Sequence, residues 1–205
     1  MVVGVDPGLG GAIAAVWNKP DDTLGMSIID MPTYNVPVGK KVRPRVDIVS
    51  VLQLAETLKT MGCELAVMEA VGGRPRQSAS SAFVFGWTTC AVYGAFVAQR
   101  IPVETVASQT WKQLLKVPGK ARRKKGDPKT DDKPDTKMTD QAIVRRADEM
   151  FPEHIHRWRG KGGALKVDRA EAAMIAYYAL VYAVRNVRPD AEWRLAYQKA
   201  EGLLQ

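Results

Sequence analysis

"VVGVDPGLGGAIAAVW", residues 2 to 17, sets an apolar run, one carboxylate at Asp6, a turn rich in glycine, and a second apolar run. Two β-rich runs, 1 to 5 and 12 to 17, joined by a Pro-Gly turn read as neighbouring strands. "LGMSIIDM", 24 to 31, is a third, so the chain is expected to begin as an antiparallel meander. From Asp47 the period changes. Ile48, Val51, Leu52, Ala55 and Leu58 recur at helical spacing behind Asp47, a suitable N-cap. "ELAVME", 64 to 69, is a continuous apolar run of the kind that forms a buried parallel strand. A helix over 78 to 99, a strand over 101 to 107 and a short helix at "SQTWKQLLK" follow. The predicted order, β-β-β-α-β-α-β-α, is that of an α/β fold.

Further on, residues 117 to 136, "VPGKARRKKGDPKTDDKPDT", are charged and proline-broken, and read as a basic mobile loop. Helical periodicity returns over 138 to 150 and 167 to 184. The expected organisation is one domain over 1 to 190, with a helical extension at 191 to 205. Two cysteines, Cys63 and Cys90, are too few for a disulfide framework and are expected to be buried. Neither a membrane-length apolar stretch nor a secretory signal pattern is evident, so the expected location is the cytoplasm. Thirty Lys and Arg against 22 acids leave a net charge of +8, which favours a polyanionic partner. Part of that charge is concentrated at Lys120, Arg122, Arg123, Lys124 and Lys125, and part at Arg159 and Lys161.

Acids fall at suggestive places. Asp6 and Glu69 each end a strand, and Asp168 and Glu171 open the long helix over 167 to 184 three residues apart, on one face. Each has an ordinary explanation: Asp6 as a turn former beside Pro7, and the helical pair as partners of the helix dipole. Together they could hold hard divalent cations through oxygen ligands, and two such cations can promote phosphodiester hydrolysis. "HIH" at 154 to 156 lacks a third ligand cluster and suits surface or capping roles; "RGKGG" at 159 to 163 suits either a linker or a backbone cradle.

Taken in order, "GVDPGLGGAIA", "VMEAVGGRPRQSASSAFVFG", "WKQLLK" and "KVDRAEAAMIA" resemble the motifs of the RuvC-like Holliday junction resolvases, in the RNase H-like superfamily. The resemblance spans about residues 2 to 185. It implies a mixed five-stranded sheet, three antiparallel strands followed by parallel ones, flanked by helices. Asp6 matches the first metal-binding acid of that family, Glu69 the second, and Asp168 with Glu171 the closing pair. That pair is usually two aspartates, and Glu171 is the departure. Lys112 and Lys137 resemble basic positions that approach the scissile phosphate. The implied cofactor is Mg2+, with Mn2+ as a substitute and two ions per site, and the implied partner is branched DNA.

"FVFGWTTCAVYGAF" resembles the helix through which that family forms two-fold dimers, although Phe83, Phe85, Trp87, Tyr93 and Phe96 would serve equally as monomer core. Where bacterial relatives place an aromatic wedge, this chain has Arg74 and Arg76, which suit contacts to DNA backbone or unpaired bases. The large basic loop suggests a phage or prophage protein acting in a bacterial host. Three other readings stay open: a fork, flap or RNA nuclease of the same superfamily, a noncatalytic junction-binding module, and an actin-like ATPase. The last needs a second domain and a second phosphate loop.

Overall fold

The computed structural model describes residues 1–72, 78–117 and 136–183, with backbone alone for 136–139 and 183. Strands β1 (Val2–Asp6), β2 (Ala12–Asn18) and β3 (Leu24–Asp30) form the expected meander. Two further strands, β4 (Thr33–Val38) and β5 (Lys41–Val46), precede helix α1 (Ile48–Thr60). Then come β6 (Leu65–Ala70), α2 (Ala79–Ala98), β7 (Val103–Ala107), α3 (Ser108–Leu114), α4 (Thr136–Met150), a 3-10 segment (Pro152–Trp158) and α5 (Val167–Tyr178). A π-helical turn, Ala179–Ala183, continues α5. The main sheet has the order β3-β2-β1-β6-β7; β2 is antiparallel to both β3 and β1, and β6 and β7 run parallel to β1. This is the mixed five-stranded sheet that the resemblance implies, and it agrees with the α/β order of elements read from the sequence.

Alternation along the strands divides the core in two. Val2, Ala14, Val16, Leu65 and Val67 face α3, α4 and α5, burying Trp111, Phe151, Trp158 and Tyr177 in one cluster. Val3, Val5, Ile13, Ala66 and Met68 face the other way, against Val51, Ala55, Leu58, Val92 and Phe96 of α1 and α2. By the same parity Asp6 shares the face of Val2, and Glu69 that of Leu65 and Val67. Both acids are thereby aimed at α5 rather than at α1 and α2. Gly4, between Val2 and Asp6, is where α5 lies against the β1 backbone: a Cβ there would sit 2.1 Å from the Ala176 nitrogen and 2.3 Å from the Ala172 oxygen.

Asp47 caps α1 as anticipated, its carboxylate accepting the Ser50 N–H (3.2 Å) and the Ser50 hydroxyl (2.7 Å). The β4–β5 hairpin was not anticipated. Pro37 and Pro44 argue against a strand, because proline cannot donate to a ladder. Here the hairpin is a separate two-stranded ribbon, so each strand has a free edge that tolerates them, and Gly39 at φ +60° turns the two-residue loop.

Three expectations are corrected. Cys63 is buried but Cys90 is exposed, since it lies on the side of α2 away from the core. The 20 residues of α2 contain no charge, and with a mean hydropathy of 1.4 over 18 of them the helix is apolar and long enough to cross a bilayer, although Ser, Thr and Gly interrupt any continuous apolar run. Its buried stripe, Thr88, Val92, Ala95 and Phe96, is used by the core, while Phe83, Trp87, Tyr93 and Val97 are exposed. His154 is an internal tie rather than a surface residue: its Nε2 lies 3.0 Å from the Leu24 carbonyl oxygen, joining the 3-10 segment to β3. His156 is exposed. Residues 118–135 of the basic loop and the 191–205 extension lie outside the described residues.

Candidate active site

The turn after β1 positions the first acid. Gly11 donates to the Gly8 carbonyl (2.9 Å), and the Gly8 N–H reaches the Asp6 carboxylate (3.4 Å). Val5 and Met68 are register partners on parallel strands, which sets Asp6 and Glu69 side by side at the carboxyl edge of the sheet. Helix α5 crosses β1 in the opposite direction, so the turn that opens it comes down over this edge.

A bidentate ion pair holds that opening turn. Arg169 donates from Nε and a terminal nitrogen to the two Asp30 oxygens (2.5 and 2.8 Å), and also to the Arg157 carbonyl (3.0 Å). Lys166 lies 3.4 Å from the same carboxylate. The last residue of β3 thus anchors the residue next to Asp168. The planar fork of arginine suits such anchoring better than a lysine would.

With the helix fixed, Asp6, Asp168 and Glu171 each present a carboxylate oxygen within 4.8 Å of the other two. Glu69 is not within that set, although its charge acts on Asp6. Burial, then the charges of Glu171, Asp168 and Glu69, push the Asp6 carboxyl up to about 7, with the Gly8 N–H partly offsetting them. Burial and Glu171 also raise Asp168, with smaller contributions from Asp140 and Asp30. Glu69 is raised by burial and Glu171, against the Ser108 hydroxyl, Lys112 and Trp111, which favour its ionised form. The buried Trp111 indole nitrogen closes no full hydrogen bond.

Lys112, on α3, is placed at the site. Its Nζ lies 2.8 Å from Glu171 and 4.8 Å from the centre of the Trp111 ring. One ammonium against this many carboxylates leaves the centre short of positive charge. Oxygen-only donors, desolvated and mutually repelling, fit a hard divalent cation of the magnesium class.

The other sequence candidates are dispersed. Arg159 ion-pairs with Asp148, which also accepts the Trp158 indole N–H (2.8 Å). Lys161 is exposed in the turn before α5. Lys137 lies on the first turn of α4, where the backbone alone is described. Arg74, Arg76, Lys120, Arg122, Arg123, Lys124 and Lys125 lie outside the described residues. Asp30, Ser108, Trp111 and Asp140 were not singled out in the sequence. Their roles depend on contacts between distant segments, and only the position of Asp30 at a predicted strand end could have hinted at one of them.

No protein family model matches the chain, and no curated protein matches it. Among solved structures, it is similar to Thermus thermophilus RuvC, at 17% identity and a TM-score of 0.47, covering 90% of this chain and 96% of that one. It is also similar to T. thermophilus RuvC in complex with Holliday junction substrate, at 14% identity and a TM-score of 0.48, covering 85% and 89%. A third is the yeast mitochondrial Holliday junction resolvase Ydc2, at 13% identity and a TM-score of 0.47, covering 85% and 75%.

Proposed function

We propose that the chain is a structure-specific DNA endonuclease that resolves four-way junctions by paired, metal-dependent nicks. The observation that carries this reading is the convergence of Asp6, Asp168 and Glu171 within 4.8 Å at the sheet edge, with Glu69 beside them and a cation from α3 in the same place. The order of the sequence motifs and the basic charge point the same way. Asp6, Asp168 and Glu171 would hold magnesium, or manganese in its place, with Glu69 completing a two-ion set. Ions bound there supply Lewis acidity for the phosphate and lower the pKa of water. Lys112 is positioned to offset charge on the phosphate, releasing Glu171 as it does so; Lys137 is the second candidate for this task. The setting we propose is the cytoplasm of a bacterial host, with a phage or prophage as the source.

The test is cleavage of a strand-labelled four-way junction with magnesium, beside a linear duplex, a fork, a flap and an RNA hairpin. Symmetric paired nicks in the four-way junction alone are expected, and they should be absent in Asp6→Asn. Equal cutting of forks and flaps would make the protein a general branched-DNA nuclease. Tight binding without cutting would leave a noncatalytic junction-binding module.

Paired nicks require two sites, and α2 offers the surface for joining two copies. Phe83, Gly86, Trp87, Cys90, Tyr93, Gly94 and Val97 make a continuous exposed face with no charge on the helix. Small residues among aromatics allow two such helices to approach closely. A two-fold arrangement would present two sites to symmetry-related strands. Phe83→Asp with Trp87→Asp should convert a dimer into a monomer in sedimentation experiments while leaving calorimetric magnesium binding unchanged. A wild-type protein that is monomeric at micromolar concentration would rule out the dimer.

A further inference from the structure

We infer that the β4–β5 ribbon and the first turn of α2 form a cradle for the phosphate backbone of the DNA, contiguous with the carboxylate site. This rests on the nuclease reading for the identity of the polyanion. Its own support is the charge and shape of the ribbon.

From Met31 to Val46 the chain has no acid and four cations: Lys40, Lys41, Arg43 and Arg45. The ladder pairs Tyr34 with Arg45, Val36 with Arg43 and Val38 with Lys41. Directly opposed residues share a face, and alternation puts Lys41, Arg43 and Arg45 together on it. Across that face lies a groove of about 700 Å³, lined by the polar Arg43, Arg45, Ser78, Ser80 and Ser81 and by apolar residues that include Leu9, Val84 and Phe85. Gly8, whose N–H reaches Asp6, is among its lining residues, so the groove and the carboxylate site meet at the turn after β1.

These cations are free of carboxylates among the described residues, unlike those that brace the fold. Arg146, Arg159 and Arg169 are held by Glu149, Asp148 and Asp30, and Lys112 by Glu171. Among the described residues, Lys40, Lys41, Arg43 and Arg45 have no carboxylate partner; Arg45 reaches only the Pro44 carbonyl, at 3.3 Å. Guanidinium groups left free beside a groove match phosphate, and the exposed hydroxyls of Ser80 and Ser81 add neutral donors of the kind that contact DNA backbone. Tyr34, 52% exposed opposite Arg45, offers a ring to a sugar or an unpaired base. An acidic protein segment would meet the same charges but has no reason to lie at the mouth of a phosphodiester-cleaving site.

The test uses Asp6→Asn protein, so that binding is read without cutting. Junction affinity is measured against salt for the intact ribbon, for Arg43→Ala with Arg45→Ala, and for Arg43→Lys with Arg45→Lys. Loss of two phosphate contacts should reduce the slope of log affinity against log salt by about 2, and the lysine pair should retain it. Circular dichroism checks the fold. If the alanine pair fails to fold, Lys40→Gln with Lys41→Gln at the exposed turn takes its place, with the same expected loss. An unchanged slope in a folded variant overturns the cradle, and if the wild type still cuts junctions the nuclease reading survives alone. A reduced slope in a protein that cuts nothing supports the cradle and removes the nuclease reading. Failure to bind branched DNA at any salt overturns both.

Discussion

Asp6→Asn is expected to raise the metal-free stability of the protein at pH 8 while abolishing its cleavage. Asp6 has a carboxyl pushed from 3.8 to about 7 by burial and by Glu171, Asp168 and Glu69. Below pH 4 it is protonated in both the folded and unfolded states and contributes no pH dependence. Between pH 4 and 7 the unfolded chain releases the proton and the folded one keeps it, so stability falls as pH rises; above 7 it levels off. A shift of this size corresponds to roughly 4 kcal/mol, an upper figure because neighbouring acids titrate together. Replacing the carboxylate by an amide removes most of that slope. It should raise the melting temperature at pH 8 without divalent ions by roughly 5–10 °C in a chain of this size. Adding magnesium should raise the wild-type melting temperature and leave the variant nearly unmoved, because ligation stabilises only a competent site. Cleavage should fall by about a thousandfold or more, the equivalent of several kcal/mol of lost charge stabilisation. Melting curves from pH 4 to 8, with and without magnesium, check the first part. An Asp6→Asn protein less stable than wild type at pH 8 would show that the carboxylate is satisfied in the fold and needs no cation.

The same strain explains why the site could be read in part from the sequence. Asp6 and Glu69 interrupt apolar strands at their ends, and Asp168 and Glu171 open a helix whose other positions are almost all buried. An acid in such company stands out, and two-residue alternation then aims both strand acids at α5. The order of elements along the chain was legible for the same reason: apolar runs mark buried strands, and helical runs between them force parallel crossovers. What hides from a linear reading is pairing across distance. Asp30 and Arg169 are 139 residues apart, and nothing in either segment names the other as its partner. The β4–β5 ribbon was obscured by Pro37 and Pro44, which are poor strand residues except at an edge. Cys90 follows the general tendency of thiols toward burial only until one asks which side of α2 faces the core. The exposed side of α2 is apolar enough that composition alone cannot separate it from the buried one.

Gly4→Ala should be a severely disruptive single-methyl change. The added carbon would stand 2.1 Å from the Ala176 nitrogen, 2.3 Å from the Ala172 oxygen and 2.7 Å from the Ala176 Cα. These are backbone atoms of a helix and cannot swing aside as a side chain would. Relief requires α5 to move off β1 by about an ångström, which loosens the central contact of one core cluster. Overpacking in a well-filled core costs about 1–3 kcal/mol, and a rigid helix backbone puts this case at or above the upper end. A melting temperature lower by roughly 5–10 °C is expected. The displacement also separates partners in the site, because Asp6 belongs to β1 while Asp168 and Glu171 travel with α5. Misplacement on this scale costs about a hundredfold in rate. Thermal melting measures the first effect, and single-turnover cleavage, at a temperature where the variant remains folded, measures the second. Loss of stability with full cleavage would mean that α5 pivots about its N-terminal turn. The Asp30–Arg169 anchor would then be what fixes the carboxylates, and breaking that anchor with Arg169→Gln should produce the rate loss that Gly4→Ala did not.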